Sequence, residues 1–289
     1  MELFKWHGLG NDYLIVKESA LSHPLTPQAI ALLCDRHRGV GADGILLHAM
    51  PTGVVPGVVA RMRVLNPDGS EAEMCGNGVR MFARYLERQG LVGQGRALIE
   101  TLAGPIEVEI RSDALVRVDM GRAYFRSPNV AVVGDGDVVD EPLDLPGGRY
   151  YFTFVDVGNP HCVIFVDEPS AVDLPKVGPL IEHHPFFPKR TNVEFVRVED
   201  GHTARMRVWE RGVGETEACG TGATAVAAAC VRRGVGTSPM VVRLPGGELV
   251  IEVGPDDQEP TNYRVFMSGP AEEVFAATLS EELLRKLGW

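Results

Sequence analysis

The chain is written twice. A shift of 144 residues lays MRVLNPDGSEAEMCGNG, beginning at Met62, over MRVWERGVGETEACGTG, beginning at Met206, with eight identities in seventeen positions and no gap. Fainter echoes keep the same order on both sides. HGLGNDYLIV (7–16) matches DVGNPHCVIFV (156–166), GADGILL (41–47) falls beside KRTNVEFV (189–196), and AGPIEVEI (103–110) parallels PGGELVIEV (245–253). Solenoid units run to about 20 to 50 residues, so a period this long predicts two homologous domains fused in tandem. At 289 residues each half is long enough for a core of its own.

Each half reads as strand, helix, strand, strand, cysteine turn, helix, strand, strand. Period-two stretches such as EVEI, LVRVDM and VVRL support the strands. TPQAIALLCDRH (26–37) opens with a threonine before a proline and continues with helical apolar spacing. The segments after the two cysteine turns, GVRMFARYLERQG and GATAVAAACVRRG, are apolar around most of their circumference and stop at Gly90 and Gly234. Such helices belong inside a domain, each with a glycine as its C-terminal stop. The echo lapses over 121–136, where Pro and Gly collect, so the expected domains are 1–122, carrying Cys75, and 123–289, carrying Cys219. The tail AEEVFAATLSEELLRKLGW has no counterpart in the first half and reads as an added helix, with 270–289 expected to pack on the first domain.

Composition narrows the function. A net charge of -11 argues against nucleic acid, which calls for a basic face, and leaves a small molecule as the default partner. No apolar run reaches the roughly 18 residues of a membrane span, and MELFKWHGLG lacks the regions of a secretory signal. The expected location is cytoplasmic. Five cysteines, odd in number and far apart, suit neither a disulfide framework nor a CxxC zinc site.

GVGADG (39–44) formally satisfies the dinucleotide fingerprint GxGxxG, but a helix precedes it and a strand follows, the reverse of the required order. It reads as a turn. The cysteine turns carry more. A thiol at the N-terminal edge of a helix faces unpaired N–H groups and the positive end of the dipole, which favour the thiolate over a usual pKa of about 8.5. The same N–H groups suit a carboxylate. Two cysteines in matched turns point to a reactive pair, whereas Cys34 and Cys230 in helices and Cys162 in a strand read as core.

Polar residues gather at the echoes: Asn11 and Asn159 in equivalent turns, Asn66 and the pair Glu210, Arg211 in aligned loops, Asn192 opposite Gly44, and His161 two residues after Asn159. They read as a polar pocket whose contents differ between the halves, as suits a substrate with distinguishable ends. His183 and His184 have no metal-site spacing and read as surface.

In HGLGND, NPDGSEAEMCGNG, GNPH, ERGVGETEACGTG and LPGG the chain resembles the diaminopimelate epimerase family, from Met1 to about Gly269. The resemblance implies an α/β fold of two pseudo-symmetric domains, each a curled, mostly antiparallel, barrel-like sheet around a central helix. It also implies a site in the cleft between them and a homodimer. The implied reaction interconverts LL- and meso-diaminopimelate, for lysine and peptidoglycan precursors, without cofactor or metal. Cys75 and Cys219 match the two bases; His161 and Glu210 match residues around the reacting amine. The N–H groups of Gly76, Asn77, Gly220 and Thr221 match those holding the α-carboxylate. Asn66, Asn159, Asn192 and Arg211 match those reading the distant centre, with Asn11 lining the site. Gly44 departs from a glutamine found in some members. The rivals are a proline or hydroxyproline racemase, against which the distal polar set stands, and a thiol redox or ligand-binding protein, which would normally show CxxC.

Overall fold

The computed structural model describes residues 1–259 and 261–289. The chain forms two compact units, Met1–Val118 together with Gly269–Trp289, and Asp119–Ser268.

The first unit opens with a hairpin of Glu2–Gly8 and Asn11–Lys17, antiparallel with Phe4 opposite Ile15. Its turn places Leu9 and Gly10 at positive φ. Asn11–Lys17 then runs parallel to Gly44–Ala49, and a parallel pair needs a crossover. Helix Pro27–Cys34 supplies it, capped by the Thr26 side chain, which accepts a hydrogen bond from the Ala29 N–H. Gly44–Ala49 pairs antiparallel with Val58–Leu65, which pairs parallel with Gly95–Thr101 across a second crossover, the helix Gly76–Arg88. Gly104–Ile110 and the strand beginning at Val116 continue the sheet.

Helix Gly76–Arg88 lies against strands from both ends of this sheet, Glu2–Gly8 and Gly104–Ile110 among them. Ten of its residues are buried, which makes it the central helix around which the sheet curls. Phe82, Tyr85 and Met81 fill the space, and truncating a buried Phe of this kind typically costs about 3–5 kcal/mol.

The second unit repeats the plan. Glu141–Leu145, Gly148–Asp156 and Pro160–Phe165 are consecutive antiparallel strands. Helix Leu174–Glu182 crosses to Asn192–Asp200, which is parallel to Pro160–Phe165. Thr203–Glu210 follows, then the central helix Gly220–Arg232, then Met240–Leu244, Gly247–Pro255 and Tyr263–Gly269. Here the central helix is built from alanine, and Ala225, Ala227, Ala228 and Ala229 are all fully buried. Small side chains let the sheet close on it.

Two expectations need correction. Each half begins with a hairpin, not a single strand. The tail is not one helix: Glu272–Thr278 is a strand paired with Glu2–Gly8, and only Glu281–Leu287 is helical. Its Glu, Ala and Leu content favours helix locally, but the edge of the first strand offers backbone hydrogen bonds that override propensity. The short helix packs Leu283, Leu284 and Leu287 onto the Leu3, Ile30 and Leu33 cluster of the first unit.

Candidate active site

Cys75 is the N-cap of helix Gly76–Arg88, in extended conformation, and its Sγ accepts a hydrogen bond from the Gly78 N–H at 3.3 Å. A Cβ at Gly78 would stand 3.0 Å from Leu46 and 3.2 Å from Cys75, so glycine keeps the turn this tight. Asn77 donates from Nδ2 to Asn11 Oδ1 at 3.2 Å, and Asn11 donates to Asp43 at 2.8 Å. Behind this row lies Arg80, fully buried, which donates to Asn77 Oδ1 at 2.9 Å, to the Gly76 carbonyl at 3.4 Å and to the Pro270 carbonyl at 3.3 Å. Burial pulls its pKa down to about 10, against the pull of Cys75 in the other direction. Asn66 is held by its own turn, donating from its backbone to the Ser70 carbonyl and from Nδ2 to Ser70 Oγ.

Cys219 caps helix Gly220–Arg232 in the same way, with the Gly222 N–H 3.4 Å from Sγ and Thr221 Oγ1 at 3.5 Å. Its electrostatic setting opposes the sequence expectation. Burial, then the nearby charges of Glu210 and Glu194, push the thiol well above its ordinary pKa, outweighing the helix N-terminus. Burial also raises Glu210, although hydrogen bonds from Thr216 and Cys219 and the charge of His161 oppose the shift.

His161 is fully buried. Its Nδ1 lies 2.6 Å from Glu194 Oε1 and its Nε2 lies 3.0 Å from Asn159 Oδ1. Asn159 in turn donates from Nδ2 to Thr221 Oγ1 at 3.4 Å. A second pair stands beside this chain: Asn192 donates to the Pro160 carbonyl at 3.0 Å and accepts from the Arg211 backbone N–H at 2.9 Å. The Arg211 guanidinium donates to the Lys189 carbonyl at 3.2 Å.

The structure thus joins Cys75, Gly76, Asn77 and Asn11 in the first unit, and Asn159, His161, Thr221, Cys219 and Glu210 in the second. Sequence reasoning missed Glu194, Arg80 and Thr216. A carboxylate inside the apolar strand NVEFV and an arginine inside an otherwise apolar helix were the available signals for the first two. At Gly44 a Cβ would meet the Tyr13 ring at 2.6 Å and the Leu65 carbonyl at 2.8 Å, so this backbone admits no side chain there. Burial raises Cys34 to about 11, Cys230 to about 12 and Cys162 well above its usual value, in keeping with core thiols. Among the described residues no three His, Cys, Asp or Glu side chains are grouped to hold a metal ion, and no helix is long and apolar enough to cross a membrane.

In each unit the strands curl around a helix capped by cysteine, an α/β fold shared with solved racemases and epimerases. A probable proline racemase from Agrobacterium radiobacter superposes with a TM-score of 0.69 at 17% identity, covering 97% of this chain and 93% of its own. A hydroxyproline epimerase from Agrobacterium vitis does so at 0.69 and 15%, covering 96% and 91%. Identities this low establish the shared fold. The particular family follows from sequence: the profile described as Diaminopimelate epimerase matches residues 3–126 and 153–274, and the chain belongs to that family. It is 51% identical to the diaminopimelate epimerase of Desulforudis audaxviator, over 95% of this chain and 98% of the relative. It is 46% identical to that of Desulfitobacterium hafniense, over 98% and 100%.

Proposed function

We propose that the chain interconverts LL- and meso-diaminopimelate, with Cys75 and Cys219 as the acid–base pair. The observation that carries this reading is the matched capping of two helices by these cysteines in a chain of that family. One thiolate takes the α-proton from one face of the carbon, and the opposite thiol gives its proton to the other face. The first cysteine leaves the turnover as thiol and the second as thiolate. The reverse reaction exchanges the roles. An α-proton beside a carboxylate is a very weak acid, and a positioned acid–base group contributes about 10²–10⁴-fold.

The N–H groups of Gly76, Asn77, Gly220 and Thr221 hold the α-carboxylate and draw off the charge that develops as the proton leaves. His161 and Glu210 face the reacting amine. Asn66, Asn159, Asn192 and Arg211, with Asn11, receive the distant amino-acid head. That head is what separates this substrate from proline. The reaction needs no cofactor, and the working form is a cytoplasmic homodimer.

Incubation with meso-diaminopimelate in deuterated water, without added cofactor, tests the reading. LL-isomer should appear carrying deuterium at one α-carbon. Substrate recovered unlabelled and unchanged rules the reading out, and turnover of proline in its place would transfer the chain to the rival class.

A further inference from the structure

Glu194 has no part in the chemistry above, yet its place in the second unit is unusual. It sits within the buried apolar run of strand Asn192–Asp200, sealed from solvent. Oε1 meets His161 Nδ1 at 2.6 Å, while Oε2 is buried with no hydrogen-bond partner. Space for the carboxylate comes from Gly222, where a Cβ would stand 2.9 Å from Oε1. The second glycine of CGTG therefore admits Glu194 against the first turn of helix Gly220–Arg232, whose positive end favours an anion. A buried carboxylate is costly unless paired, and a neutral imidazole supplies no compensating charge.

We propose that Glu194 is a positioning residue for the acid–base chemistry at Cys219, holding His161 doubly protonated and setting the direction of a hydrogen-bond chain that ends on the sulfur. The proposal rests on Cys219 being a catalytic acid–base group. An ionised carboxylate only accepts, so Nδ1 donates to it. Nε2, 3.0 Å from Asn159 Oδ1, donates as well, which requires the imidazolium. Asn159 Nδ2 then donates to Thr221 Oγ1 at 3.4 Å, leaving the threonine hydrogen for Cys219 Sγ at 3.5 Å. From His161 onward every hydrogen points toward the sulfur, the polarity that supports a thiolate once its proton has gone.

Glu194 lies on the strand parallel to that of His161, and Glu210, at the end of Thr203–Glu210, feels the charge of His161; Cys162, next in sequence, and Cys219 at the helix cap both feel the charge of Glu194. The imidazolium neutralises Glu194 and offsets Glu210. A neutral ring would leave two carboxylates beside a buried thiol and a chain with no fixed direction.

Nitrogen NMR of the full chain carrying isotopically labelled histidine tests this, with His161→Asn used to assign the signal. Both ring nitrogens of His161 should carry hydrogen in the folded protein, since each faces an acceptor oxygen. In Glu194→Gln one ring nitrogen should lose its hydrogen under the same conditions, and kcat should fall roughly tenfold or more in both directions with KM little changed. Glu194→Asp, which restores the charge, should recover part of that loss. A wild-type ring with a single protonated nitrogen overturns the proposal, as does wild-type kcat in folded Glu194→Gln. The NMR signature needs no substrate, so a wild type inactive on diaminopimelate removes the substrate reading and leaves the ring measurement to decide this one.

Discussion

Cys75 and Cys219 occupy the same position in their own units, each the N-cap of a central helix with its Sγ bonded to the N–H three residues on. Their charged neighbours differ. Arg80 is buried beside the first cap, whereas Glu210 and Glu194 stand near the second.

The difference is measurable in the thiols. In Cys75→Ala the remaining cysteines all have raised pKa values: Cys34 about 11, Cys230 about 12, and Cys162 and Cys219 well above the ordinary range. Absorbance at 240 nm should then show no thiolate below about pH 8, since each thiol ionises later than a free one. A thiolate that titrates near neutrality in this variant would contradict the setting described for Cys219.

Gly222→Ala separates catalysis from stability. Alanine is a better helix former than glycine, but at this first-turn position its Cβ would stand 2.9 Å from Glu194 and 3.3 Å from Cys219 Sγ. Displacing the carboxylate should lower kcat about tenfold or more while thermal denaturation shows a folded protein. Unaltered kinetics would mean that the close approach of Glu194 has no catalytic consequence.

Acid stability should depend on Asp12. Burial pushes its carboxyl up, but hydrogen bonds from Arg36 and Lys5 prevail and bring it from 3.8 to about 2. A depressed folded pKa contributes stability above the unfolded value, and that stability is lost as pH falls through the folded one. On the order of 2 kcal/mol should therefore disappear between about pH 4 and 2. Asp12→Asn should be less stable at pH 7 and lose less across that window, as followed by denaturant titration at each pH. Parallel curves for the two proteins would deny Asp12 this role.

Much of this was legible in the sequence because repetition and local chemistry coincide. The 144-residue shift carries Cys75 onto Cys219 and helix Gly76–Arg88 onto Gly220–Arg232 without a gap. Gly90 and Gly234, both at positive φ, mark the ends of those helices as expected. What stayed hidden depends on contacts distant in sequence. Glu194 reaches His161 across 33 residues, and Arg80 reaches Pro270 across 190, so neither partnership has a local pattern. The tail strand was hidden for the same reason, since its partner is the first strand of the chain. At Cys219 the helix N-terminus is a local feature, whereas burial and the two carboxylates that push the thiol up are tertiary.

The central claim is that both cysteines act, one on each face of the α-carbon. Its most direct test is the rate of LL- to meso-diaminopimelate conversion in Cys75→Ala and Cys219→Ala, beside Cys34→Ala and Cys162→Ala as controls. Each of the first two should lose epimerisation by at least about 10²–10⁴-fold, with the controls close to wild type. Full activity in either Cys75→Ala or Cys219→Ala would contradict the two-base account.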